Sequence, residues 1–136
     1  VSDGGLVFRE AHYPGRPPID AYGNGGFRFA GMSHRGSLLI LPSGVHDWPV
    51  VSTQMFALEG FAGVLAQAAK IEILLIGTGH DLRPVPSGLR DRLRAAGISA
   101  DAMSTGAAVR TFNVLLAENR AVAGAFLAVD SADGRD

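Results

Sequence analysis

Cysteine is absent from the 136 residues, so these residues can supply no disulfide framework, no thiolate nucleophile and no sulfur-ligated zinc site. Lysine is nearly absent as well: eleven of the 12 basic residues are arginine, which together with abundant alanine and glycine points to a GC-rich, bacterial coding source. Charged residues make up only 18% and the formal net charge is -1. That disfavours a nucleic-acid binder, which needs an excess of Lys and Arg on one face to neutralise phosphates. Long hydrophobic runs are missing too. Leu38 to Leu41, Ile71 to Ile76 and Gly124 to Val129 all fall short of the roughly 20 residues a membrane-spanning helix requires, so no span is expected. No charged-then-apolar leader opens the sequence, and a first residue of Val1 in place of Met leaves processing upstream open.

What is present is enough apolar material, 47%, to build one real core in a chain of single-domain length. The domain is expected over 19–129, between a flexible N-terminal tail of 1–18 and a polar C-terminal tail of 130–136. The tail holds Gly4, Gly5, Pro14, Pro17 and Pro18 with no sustained periodicity. Its His12-Tyr13 pair reads as solvated.

The central element is Ile71 to His80, an apolar run closed by Gly77-Thr78-Gly79, which reads as a strand buried on both faces. Helical patterns over Met55 to Lys70 and Ser87 to Ala96 flank it, the signature of a parallel βαβ unit. Upstream, Ile19 to Tyr22 and Phe27 to Phe29 around Gly23-Asn24-Gly25-Gly26 predict an antiparallel hairpin, Gly31 to Gly36 a polar connection, and Ser37 to Leu41 a further strand. Trp48 is expected to roof the core edge, and Thr53 to cap the first helix despite Gly60 and Gly63. Downstream, Gly97 should end the second helix and Ile98 to Met103 should lie parallel to the central strand. Ser104 should cap a helix running to about Asn119, with Ala108, Phe112, Leu115 and Leu116 as its buried stripe, before a last strand over Val122 to Val129. The expected fold is therefore α/β: a single compact domain with a mixed sheet, a parallel βαβ core around Ile71-Ile76, flanking helices and an N-terminal antiparallel hairpin.

In such a sheet, ligands gather beyond the carboxyl ends of parallel strands. Two loops qualify: Gly77, Thr78, Gly79 and His80 with Arg83, and Ser104, Thr105 and Gly106 with Arg110 one turn into the helix. Glycines admit close backbone approach and a helix start favours an anion, so a phosphate or carboxylate could sit there. Each loop has an equally simple reading as turn geometry. The third glycine of a dinucleotide fingerprint and the Lys-Ser/Thr of a P-loop are both missing. His12, His34, His46 and His80 lack metal-ligand spacing, and no Gly-x-Ser-x-Gly elbow accompanies Ser33-His34, His46-Asp47 or His80-Asp81. No catalytic set, metal site or cofactor is expected. Arg90, Asp91, Arg92 and Arg94 read as a solvated helix face.

Gly77-Thr78-Gly79, Arg83-Pro84 and the run Ser104-Thr105-Gly106-Ala107-Ala108-Val109-Arg110-Thr111-Phe112-Asn113 together resemble a known family. So do Ile19 to Tyr22, Phe27-Arg28-Phe29 and Gly36 to Leu39. The family is that of the uncharacterised domain DUF498, small bacterial and archaeal proteins together with the mitochondrial assembly factor of the complex I alpha subcomplex. The resemblance runs from about Ile19 to Val129. It implies a compact α/β domain and a protein partner, and supplies no catalytic mechanism. It also adds Asn113 to the candidate cleft residues, while Ser104 stands where an acidic residue would be usual. The leading expectation is a non-enzymatic protein-binding or assembly factor linked to respiratory complex I biogenesis, in a bacterial cytoplasm or, for a eukaryotic source, the mitochondrial matrix. Its rival is a small-molecule enzyme or sensor holding an anion between Gly77 to Arg83 and Thr105 to Arg110. A homo-oligomer burying a sheet edge is a third reading.

Overall fold

The computed structural model describes residues 13–130. Within them, eight strands form two sheets. Strands β1 (Ala21–Gly23), β2 (Gly26–Phe29) and β3 (Met32–Arg35) make a three-stranded antiparallel sheet. A five-stranded mixed sheet contains β4 (Ser37–Leu41), β5 (Gly44–Trp48), β6 (Ile73–Gly77), β7 (Ser99–Met103) and β8 (Val122–Phe126) in the order β5-β4-β8-β6-β7. Helix α1 is Ala62–Ala66, α2 is Ser87–Ala95 and α3 is Thr105–Ala117. The α/β fold read from the sequence is the fold observed.

The central strand β6 is parallel to both neighbours, with Ile73 opposite Ser99 on β7 and opposite Val122 on β8. Alternation then divides the interior in two. On one face Leu74, Ile76, Leu39, Leu41, Ala123 and Ala125 pack with Trp48, Phe61, Val64, Leu89 and Leu93. On the other, Leu75, Leu38, Ile40, Val122 and Phe126 pack with Phe27, Phe29, Ala108, Val109 and Phe112. The larger sheet is thus the middle layer, between α2 with the helical turns on one side and α3 with the small sheet on the other.

Several local expectations are corrected. The helix over Met55 to Lys70 is broken into 3-10 turns at Thr53–Met55, Leu58–Phe61 and Ala68–Lys70 around the short α1, and Thr53 makes no side-chain cap. Gly60 and Gly63 weaken a continuous helix, and aromatic packing replaces it: Phe61 meets both Trp48 and Phe56 edge-on, at 5.4 and 5.6 Å between ring centres. The polar stretch Gly31 to Gly36 contains β3, which extends the predicted hairpin to three strands. Gly44–Trp48 is a strand paired with β4, and β8 ends at Phe126. The part of the N-terminal tail that is described is attached: Val45 donates its N–H to the Tyr13 carbonyl at 2.8 Å, and Arg16 donates to the carbonyls of Arg120 and Val122. His12 lies outside the described residues.

Gly97, at φ +88°, ends α2 as expected, and Ser104 caps α3 by accepting the Ala107 N–H at 3.4 Å. Trp48 is buried and its indole N–H donates to the Gly60 carbonyl at 2.8 Å. As the sole tryptophan, it reports on this core. Its fluorescence should be blue-shifted in the native state and move red on unfolding. Trp48→Ala should lose about 3–5 kcal/mol in urea denaturation followed by far-UV circular dichroism.

Candidate functional site

At its carboxyl end β6 runs into Gly77-Thr78-Gly79, which lies against the first turn of α3. Thr105 joins the two and is fully buried. Its hydroxyl donates to the Leu127 carbonyl at 2.8 Å and accepts the Gly79 N–H at 3.0 Å, while its own N–H donates to the Gly79 carbonyl at 2.8 Å. Thr78 does the same on the other flank. Its hydroxyl donates to the Asp81 carbonyl at 2.6 Å and accepts the Arg83 N–H at 3.0 Å, and its N–H donates to Met103 at 2.9 Å. Leu127 closes the ring by donating to the Gly77 carbonyl at 3.0 Å. Two of the groups that sequence reading offers to a ligand, the Thr78 and Thr105 hydroxyls, are thus engaged within the chain, and Thr105 fastens the ends of β6 and β8 to α3.

The glycines follow from this proximity. A Cβ at Gly77 would stand 2.9 Å from both the Cα and the hydroxyl of Thr105. At Gly106 the place of a side chain is taken by the Tyr22 hydroxyl, with Arg110 Nη1 3.4 Å away. Gly79 adopts φ +104°, outside the range comfortable for other residues. The two loops named from sequence are therefore brought together, with Arg110 at the exposed rim and His80 half-buried. Arg83 is exposed and only 3.8 Å from the Asp81 carboxylate, a loose surface pair. Asn113 is placed elsewhere: two turns further along α3, its amide accepts the Ile19 N–H at 2.8 Å and donates to the Ile19 carbonyl at 2.9 Å, tying the chain's entry to the helix.

Other polar groups pair in ways the sequence does not announce. Buried His46 meets Ser43, 2.7 Å from its Oγ, and that oxygen also accepts from Gln67 at 2.8 Å. Asp47 faces His34 at 3.4 Å rather than its neighbour His46. Register explains both: alternation along β5 sends His46 and Asp47 to opposite faces. Among the described residues no group of three His, Asp or Glu converges as a metal site, and no helix is long and apolar enough to cross a membrane. Arg120 is held to Glu72 at 3.0 Å, and the hydrogen bond, then the charge, of that carboxylate raises the guanidinium pKa further above its ordinary value.

The described residues form a mixed α/β domain of two sheets and three α-helices. Residues 19–127 match the family model described as protein of unknown function, DUF498/DUF598, and the chain belongs to that family. It is 40% identical over 124 residues to an uncharacterized protein of Rhodobacter capsulatus, covering 91% of this chain and 94% of that one. It is 30% identical over 118 residues to the mouse NADH dehydrogenase [ubiquinone] 1 alpha subcomplex assembly factor 3, covering 87% of this chain and 64% of that protein. The chain thus spans somewhat under two thirds of that relative. Among solved structures, the crystal structure titled as an outer membrane protein from Bartonella henselae superimposes with a TM-score of 0.84 at 56% identity, covering 88% of this chain and all of the other.

The latch makes a direct prediction. Thr105→Val leaves the buried Leu127 carbonyl and the half-buried Gly79 N–H without the hydroxyl and should cost about 2–3 kcal/mol. Thr105→Ser keeps the hydroxyl and should cost about 1 kcal/mol or less. Equilibrium urea denaturation of the two variants compares them, and equal losses would remove the hydrogen bonds from the explanation.

Proposed function

We propose that this protein is a non-enzymatic assembly factor that binds protein subunits during biogenesis of a complex I-type NADH dehydrogenase. The observation that carries the reading is the similarity to the mouse assembly factor, which extends over 118 residues and so over the folded domain rather than one motif. The internal use of the Thr78 and Thr105 hydroxyls supports it, because hydroxyls engaged within their own chain are fewer groups to offer a reacting substrate. A cytoplasmic or matrix-side site of action goes with the same reading. The competing reading, an anion-binding enzyme or sensor, draws on the surface position of Arg83 and Arg110 at the rims of the two loops.

Deleting the gene should reduce assembled NADH dehydrogenase on blue-native gels and cause subcomplexes to accumulate, with restoration by the wild-type chain. A full-size complex with unchanged NADH:quinone activity in the deletion strain would overturn the proposal. A thermal-shift screen with nucleotides, phosphates and small carboxylates addresses the rival, since a ligand that binds only the folded state raises apparent stability. A saturable shift lost in Arg83→Ala/Arg110→Ala would replace the assembly reading with the sensor one.

A further inference from the structure

The outward face of the β1-β2-β3 sheet carries two arginines that the fold does not use. Cross-strand register puts Ala21, Arg28 and Ser33 in one row and Gly23, Gly26 and Arg35 in the next. Alternation sends both rows to the same side, while Tyr22, Phe27 and His34 turn the other way, with Phe27 in the core. Arg28, Ser33 and Arg35 are exposed. Together with Asn24 in the turn, they border an open cleft of about 490 Å³ with a floor of glycine backbone.

Several other basic groups are engaged: Arg120 is paired with Glu72, Arg94 with Asp91 and Arg83 with Asp81, and Arg16 and Arg90 donate to backbone carbonyls, while Lys70, Arg92 and Arg110 are unpaired among the described residues but have no second basic group across a strand from them. Neither Arg28 nor Arg35 is ion-paired to any described residue. They are diagonal neighbours, since Arg28 is opposite Ser33 and Arg35 lies two residues beyond it. Two like charges that close repel each other, and an oxyanion between or across them relieves the repulsion. The Arg35 guanidinium also lies beside the turn: a Cβ at Gly25 would come within 3.8 Å of its Nη1. The floor beside it is low because a Cβ at Gly26 would run into the His34 carbonyl.

We infer that this face is a docking site for an extended, acidic segment of a protein partner, with Arg28 and Arg35 each taking one carboxylate. Spacing favours a peptide over a single small anion. Diagonal positions on a sheet are about 7–8 Å apart, and alternate side chains of an extended strand repeat at about 6.6–6.8 Å. Guanidinium forks match carboxylates bidentately. The glycine floor lets the backbone of the bound segment approach without meeting side chains. This inference rests on the assembly-factor reading for the nature of the occupant and adds to it the surface and the chemistry of the partner.

The test uses the whole chain and a fluorescein-labelled hexaglutamate peptide in anisotropy titrations at low salt, with hexaglutamine as the neutral control. Hexaglutamate should bind saturably, about tenfold or more weaker in Arg28→Glu/Arg35→Glu, and within about threefold of wild type in Arg90→Glu/Arg94→Glu. In two-dimensional NMR, wild-type amides of Gly23, Gly26 and Ser33 should shift on titration. Absence of saturable binding, equal losses in both double variants, or full displacement by a few millimolar inorganic phosphate would each overturn the inference, the last by showing a small-anion site. Complementation separates this from the broader proposal. A deletion strain with an assembly defect that Arg28→Glu/Arg35→Glu fully rescues defeats the docking site alone. A deletion strain without any defect defeats the assembly reading, while peptide binding is judged by the titrations.

Discussion

Where a side chain at Gly124 would stand, the ring of Phe126 lies instead. That ring is fully buried, meets Phe112 of α3 edge-on at 5.6 Å and leans on Phe27 of β2 at 6.1 Å. One side chain therefore connects the large sheet, the last helix and the small sheet, and it can do so only because its strand is in the middle. β8 is antiparallel to β4 and parallel to β6, and all five of its residues are buried. The junction between the antiparallel and the parallel halves of the sheet is made by the last strand of the described residues. Until that strand is in place the two halves share no ladder, so the domain depends on pairings that are distant in sequence.

The latch at the end of β6 follows from that placement. Leu127, one residue past β8, donates to Gly77 and accepts from Thr105, so the exit of β8 fixes where α3 begins. Close approach then excludes side chains at Gly77 and Gly106. A Gly-Thr-Gly loop facing a Thr-Gly helix start has the outline of an anion cradle. Here the same residue types serve packing: Gly77 and Gly106 make room for a neighbour, Gly79 supplies a positive φ, and each threonine hydroxyl both donates and accepts within the chain. Residue type alone does not separate the two uses, because both need a small residue and a hydroxyl near a helix N-terminus.

What was legible in the sequence was the part governed by local periodicity. The α2 stripe of Leu89 and Leu93, its stop at Gly97, the parallel strand before Met103 and the Ser104 cap all appear as read, and the central strand appears over the shorter span Ile73–Gly77 within the Ile71 to His80 run. Local rules failed where tertiary contacts decide. The stretch from Thr53 to Lys70 has a helical spacing of apolar residues, yet Phe56 and Phe61 turn in toward Trp48 and the backbone follows the rings. β3 is polar because it is an edge of a small sheet with an exposed face, so it lacks the apolar alternation that marks a strand. Gly124, in the middle of the last strand, is the space for Phe126. Asn113 belongs to a motif, yet its amide is occupied by Ile19, a contact that no spacing along one helix reveals.

The exposed arginines of the described residues include Arg28, Arg35, Arg83 and Arg110. Guanidinium is permanently charged and does not exchange protons near neutral pH, so it is poorly suited to acid–base catalysis and well suited to recognising carboxylates. A standard protein interface takes about 800 Å² from each partner, roughly a ninth of the 6973 Å² that this chain exposes. The domain therefore has area for more than one partner face. The outer side of the small sheet and the β7 edge beside Arg90 and Arg94 are built from different sheets. A factor that brings subunits together needs separate faces held at a fixed relation. A three-layer core joined through a single buried ring holds such faces in a fixed relation.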